Sequence, residues 1–366
     1  MEAQESQPGN SHAHKTTKAQ AASTSDTFEA AMDVTWQFNY DIDIESLRNL
    51  YAKAKQNQWD GEVELDWSQE IDPGKPLVSD SQLPIKQLPL FERLSKSQQE
   101  KFTAHSTAQL LSQFLHGEQG ALMTAATLTH AVPHYEGKLF AATQTMDEAR
   151  HVEVYEKYIR KLAIVYPIAP WLKETIDKTL VADHWVKIAI GMNMVVEGLA
   201  LAAFHNMRKS TTCDLLRALT EGVLRDEARH VAFGNLYTRE AIAEMHPDER
   251  EDIAQFAFEV VKLMADANGG IKGNKIPSPN PGFTQMLEEC EIDPMDFFQS
   301  VQEAGMSGVN GKLPPGQIHS FKDLMMPALV RVGAITDRSR ELFAAEEIPI
   351  WDDLKMLEAF ENDQIL

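Results

Sequence analysis

Asp147-Glu148-Ala149-Arg150-His151 and Asp226-Glu227-Ala228-Arg229-His230 are one pentapeptide written twice, and the repeat decides how this chain folds. Each copy sits in a long proline-free stretch whose apolar residues recur at helical spacing. Residues three apart share a helix face, so each copy turns one glutamate and one histidine to the same side. The copies are 79 residues apart, and so are two further glutamates, Glu118 and Glu197. Within each half, the lone glutamate precedes the Glu-x-x-His glutamate by 30 residues. A helical hairpin that climbs about 15 residues, roughly 22 Å, and descends as many returns to its starting level.

That geometry requires a turn midway, at Pro133 in the first half and Thr212 in the second. The sequence has breaks at both places, Pro133 to Gly137 and Ser210-Thr211-Thr212 with Asp214. Four helices are therefore expected. The first runs from the capping-box pair Ser97 and Glu100 to about Ala131, the others over Leu139 to Ala163, Trp185 to Arg208 and Leu215 to Met245. Pro167 and Pro170 stop regular structure before a connecting helix, and Pro247 with Asp248 opens a further one.

Glu118, Glu148, His151, Glu197, Glu227 and His230 can then meet at one level of an antiparallel bundle, the donor set of a carboxylate-bridged pair of metal ions. Four carboxylates balance two divalent ions, whereas four buried and unpaired carboxylates would be severely destabilising. Oxygen and nitrogen donors suit iron or manganese rather than thiolate-demanding metals. A single Glu-x-x-His reads more simply as a solvated polar face. Two copies, two equally offset glutamates and two midway turns outweigh that reading. Asp147 and Asp226 are placed to accept the free ring N–H of the metal-bound histidine in the opposite half; the alternative is a pair of surface carboxylates. Small residues flank the lone glutamates, Gly117, Gly120 and Ala121 in one half and Gly198, Ala200, Ala202 and Ala203 in the other. They leave room for a cavity, or allow close helix packing.

With 366 residues and 43% hydrophobic content, one large core with appendages is expected. The balance of 34 basic against 55 acidic residues, net −21, argues against nucleic acid or an anionic membrane as partner and suits a basic redox protein. Cys213 and Cys290 are too few for a disulfide scaffold or a rubredoxin-type site, so a reducing cytoplasm is expected. No run of 18 apolar residues and no basic-then-apolar leader is present, so neither membrane insertion nor secretion is indicated. Residues 1–33 read as a flexible tail with solvated His12 and His14, and 34–96 as an irregular, proline-marked arm packing on the bundle. Residues 97–266 form the bundle, and 267–366 a Gly/Pro-rich covering region with short helices.

At these residues the sequence resembles the ferritin-like dimetal-carboxylate superfamily, in the branch of the class I ribonucleotide reductase small subunit and the related ligand-binding oxidases. Besides the two DEARH motifs, LYAKAKQNQWDGEVELDWS at Leu50 to Ser68, MVVEGLA at Met194 to Ala200 and DEARHVAFG at Asp226 to Gly234 carry the likeness. The resemblance implies an all-α, ferritin-like four-helix bundle with a dimetal site in its core, extra helices and an irregular N-terminal arm. It implies an Fe/Fe or Mn/Fe pair on the six residues named, dioxygen as oxidant, a small apolar organic substrate and an external electron donor, and is compatible with a homodimer. Tyr155, one turn after His151, matches the radical tyrosine of the reductase subunit; otherwise it is a core tyrosine.

The chain also departs from these families. The ligand-binding oxidases crosslink a valine and a tyrosine at positions held here by Ala121 and Met192, so that link cannot form. The reductase subunit has Asp as first ligand and a relay tyrosine near its C-terminus; here the first ligand is Glu118 and the last tyrosine is Tyr237. Arylamine N-oxygenases carry another histidine four residues before the last glutamate, where this chain has Val223. The expected activity is that of a dioxygen-activating non-haem dimetal oxidase or oxygenase. A radical-storing subunit and a ferroxidase or catalase-type metal protein are the alternatives.

Overall fold

Two long helical hairpins form the centre of the protein, seen in a computed structural model that describes residues 25–30, 32–73, 84–267, 280–304 and 316–362. Among the described residues there is no strand. The helices used below are α1 (Glu45–Gln56), α2 (Lys96–Ala131), α3 (Tyr135–Leu162), α4 (Pro170–Leu180), α5 (Trp185–Ser210), α6 (Asp214–Glu244) and α7 (Pro247–Ala267). The helix pairs α2/α3 and α5/α6 pack along one another, and their turns fall at Val132–His134 and Thr211–Cys213, over both midpoints. Shorter helices at Pro281–Glu289, Pro294–Glu303, Met326–Val332, Asp337–Ala345 and Lys355–Glu361 follow. Residues 1–24, with His12 and His14, and the Gly/Pro-rich stretches 268–279 and 305–315 lie outside the described residues.

Boundaries differ from the sequence reading for identifiable reasons. The cap of α2 is Ser95 with Gln98, not Ser97 with Glu100: Ser95 N donates to Gln98 Oε1 at 3.1 Å. Gln99 favours this register by donating to the carbonyls of Phe91 and Leu94 at 2.9 and 3.2 Å, which ties down the preceding turn. The helix α3 starts four residues before Leu139, because Gly137 is a packing glycine and not a breaker. A Cβ there would lie 2.7 Å from the Tyr237 ring. Pro170 opens α4 instead of stopping structure, since the first helical position needs no N–H. The arm is less irregular than expected: Leu47, Leu50 and Ala54 share a face of α1, which they bury across α3 and α6.

Two features of α5 escape periodicity arguments. Ile190–Val196 is π-helical and every residue in it is buried. By length and composition α5 could also cross a membrane, correcting the expectation that no segment could; 83% of its most apolar window is buried inside the protein, as in a core helix. The principal core runs through the bundle, and a smaller apolar cluster of Ala121, Leu172, Ile176, Leu180, Met192 and Val196 joins α2, α4 and α5.

Because the Tyr237 ring fills the space over Gly137, Gly137→Ala is expected to lower stability by about 1 to 3 kcal/mol through overpacking. Urea unfolding measures this. Unchanged stability would mean that Tyr237 moves aside freely.

Candidate metal centre

The four central helices bring the two pentapeptides and the two lone glutamates together. Donor atoms of Glu118, Glu148, His151 and Glu227 lie within 4.8 Å of one another, and so do those of Glu148, Glu197, Glu227 and His230. Glu148 and Glu227 belong to both groups. None of the six residues is more than 5% exposed. Each histidine points Nδ1 at the carboxylates, His151 at 3.2 Å from Glu118 and Glu227 and His230 at 3.0 Å from Glu148.

The far side of each ring is held by the other half of the repeat. His151 Nε2 lies 3.1 Å from Asp226 Oδ2, and His230 Nε2 lies 3.3 Å from Asp147 Oδ2. An N–H at Nε2 donating to the aspartate leaves the Nδ1 lone pair free for a cation. The motif arginines complete the exchange: Arg150 bonds both aspartates, and Arg229 bonds Asp226. Gln58 and Trp59, just after α1, close the network, with Gln58 Nε2 donating to Asp147 at 2.7 Å and Trp59 Nε1 to Asp226 at 2.7 Å. Arg150 also stacks over Trp59, 4.9 Å from the ring centre.

Electrostatics show a deficit of positive charge at the centre. Burial, and then the neighbouring Glu227, holds the Glu118 and Glu197 carboxyls well above the usual carboxylate range. Burial opposes charge on Glu148 as well, but His230 and His151 outweigh it and keep that carboxyl low. Among the described residues no well-aligned hydrogen bond reaches Glu148 Oε2, either oxygen of Glu227 or His230 Nδ1, although the imidazole nitrogens stand as close as 3.0 and 3.2 Å to these carboxylates. Buried, unpartnered acceptors facing one another fit two divalent cations, which supply the missing charge and take up the free lone pairs.

Gln144 and Asn193 were not legible as site residues. Gln144 donates to Glu197 at 2.8 Å, and Asn193 donates to the other Glu197 oxygen at 3.0 Å. A signal was present: each stands four residues before a central glutamate, and Asn193 is the sole polar residue of the run Ile188 to Val196. The small residues divide. Gly117, Ala121, Ala200 and Ala203 line a cavity of about 260 Å³, with Phe114, Trp171 and Leu172 among its apolar walls and Glu118, Glu197 and Glu227 exposed to it. Gly120 instead admits Ile176, Gly198 packs near Met325 and Ala202 is buried. Ala121 and Met192 share the smaller apolar cluster. Tyr155 is fully buried against Phe204 and Phe114, with ring centres 5.8 and 6.2 Å apart, and its hydroxyl has no hydrogen-bond partner among the described residues.

A helical bundle with paired carboxylate–histidine groups at its core is the architecture of the ferritin-like non-haem dimetal oxidoreductases. Residues 41–272, more than half of the chain, match the family model described as P-aminobenzoate N-oxygenase AurF, and the chain belongs to that family. Among curated proteins none matches. Solved structures of R2-like ligand-binding oxidases are similar. One mutant with an anaerobically reconstituted Mn/Fe cofactor is 18% identical, covering 79% of this chain and 93% of its own at a TM-score of 0.44. Another, with an aerobically reconstituted Mn/Fe cofactor, is 16% identical, covering 87% and 91% at 0.41. Val223, where arylamine N-oxygenases have their further histidine, is fully buried in the apolar core and offers no donor.

Glu148→Ala and Glu227→Ala each remove a donor common to both groups, and either is expected to lower metal content by more than one ion per chain. Elemental analysis of purified protein measures it, and wild-type content in both variants would exclude this centre. Asp226→Asn is expected to weaken metal affinity about 10- to 100-fold, the usual effect of loosening a histidine's outer partner.

Proposed function

We propose that this protein is a dioxygen-activating oxidase or oxygenase of a small apolar organic molecule. A diiron or manganese–iron pair would be held by Glu118 and His151 on one side, Glu197 and His230 on the other, and Glu148 and Glu227 between them. The observation that carries this reading is the apolar cavity whose inner wall is formed by three of those glutamates. When bound, the metal pair supplies the redox chemistry with dioxygen, renewed by an external electron donor.

The side chains of the chain do the rest. Asp147 and Asp226 orient the two imidazoles, while Arg150 bonds both aspartates and Arg229 bonds Asp226. Phe114, Trp171, Leu172 and Val196 exclude water and leave the carboxylate wall as the polar end of the cavity. Among the described residues no lysine, arginine or histidine lines it. A carboxylate such as that of p-aminobenzoate would therefore meet no cationic partner, which favours an uncharged substrate. Free Cys213 and Cys290 support a cytoplasmic setting, and the net charge of −21 supports a basic electron donor. Val34, Trp36, Phe38 and Tyr40, 65 to 76% exposed, provide an apolar row for a second copy of the chain.

Filling the cavity tests the proposal. A Cβ at Gly117 meets nothing within 4 Å, so Gly117→Leu is expected to retain about two metals per chain. It should also lose the neutral organic molecule that mass spectrometry finds in extracts of the wild type, together with at least tenfold of substrate-dependent oxygen uptake. Full activity in this variant would place the substrate elsewhere.

Tyr155 is close enough to feel the charges of Glu118 and His151, and burial first, then Glu118, pushes its hydroxyl well above the ordinary tyrosine value. With no side chain among the described residues placed to take its proton, it serves as a packing tyrosine here. Tyr155→Phe is expected to keep metal content and most substrate oxidation. Normal metal content with lost activity would give this tyrosine a redox role.

A further inference from the structure

The two ends of the metal centre are built unequally. Glu197 is gripped on both oxygens by neutral amides, Gln144 Nε2 at 2.8 Å and Asn193 Nδ2 at 3.0 Å. The amides also fix each other, since Asn193 Nδ2 lies 3.2 Å from Gln144 Oε1. Both residues are fully buried. Asn193 sits in the π-helical turn, and its Cβ is 2.6 Å from where a side chain at position 234 would begin, so only Gly234 admits it. Its Oδ1 has no hydrogen-bond partner among the described residues, a defect that packing alone would remove with leucine. Glu118 has no amide donor: its one hydrogen bond among the described residues is to His151 Nδ1, at 3.2 Å. That nitrogen is the one a cation would take. Space is open beside Gly117, and Glu118 lines the cavity.

We infer that Gln144 and Asn193 are positioning residues that preform the Glu197/His230 metal position, so that it fills first and more tightly. The Glu118/His151 position fills second, with a glutamate free to move toward or away from the cavity. The inference rests on the dimetal reading above. Preorganisation of donors is the physical basis: a carboxylate already held in place loses little freedom on binding, whereas Glu118 must be ordered by the cation itself.

Calorimetric and optical titration of the metal-free full-length protein with Co(II) tests it. Wild type is expected to bind two ions in steps at least tenfold apart in affinity, with Glu197→Ala deleting the tight step and Glu118→Ala the weak one. Asn193→Leu should weaken the tight step about 10- to 100-fold, change its visible spectrum and leave the weak step within about threefold, and Gln144→Met, which also loses a 3.3 Å hydrogen bond to the shared Glu148, should weaken the tight step at least tenfold more than the weak one. Thermal unfolding of the metal-free variants checks that they fold. Two equal steps in the wild type, deletion of the weak step by Glu197→Ala, or equal weakening of both steps by the amide variants would overturn the inference. A wild type that binds no metal would instead remove the dimetal reading beneath it.

Discussion

Four carboxylates in a dry helical interior are the constraint on which the structure turns. Each would be strongly destabilising alone, so the interior must provide positive charge or protons, and it provides both in part. Two imidazoles face the glutamates, two arginines neutralise the aspartates behind those imidazoles, and the remaining acceptors are left in pairs that divalent cations fit. Helix lengths follow from this demand. The hairpins must return all four glutamates to one level, and the turns at Val132–His134 and Thr211–Cys213 meet it.

Legibility in the sequence tracked repetition. The six donors and the two aspartates could be placed together because their chemistry recurs at one offset, and a repeat of 79 residues survives any uncertainty about where a helix begins. Features that occur once were harder to read. The π-helical turn before Glu197 leaves no periodic trace, because an apolar run looks the same at either helical pitch. Gly137 and Pro170 read as breaks by residue type alone, whereas the Tyr237 ring over the first and a helix start at the second give them their roles. Gln58 and Trp59 come from a segment that looked irregular, and only tertiary packing brings them 89 and 167 residues across the chain to Asp147 and Asp226.

Family membership and local chemistry agree on the scaffold and part company in the pocket. The P-aminobenzoate N-oxygenase family match spans the hairpins, yet Val223 stands in an apolar core and, among the described residues, the cavity wall holds no basic side chain.

The reciprocal bracing of the histidines has one more consequence. Asp147 steadies His230 and Asp226 steadies His151, so neither hairpin contains both an imidazole and the carboxylate that aligns it. One hairpin by itself is half of a clasp. It becomes complete only when a second hairpin lies antiparallel against it, and the geometry is indifferent to whether that second hairpin is covalently joined or comes from another polypeptide.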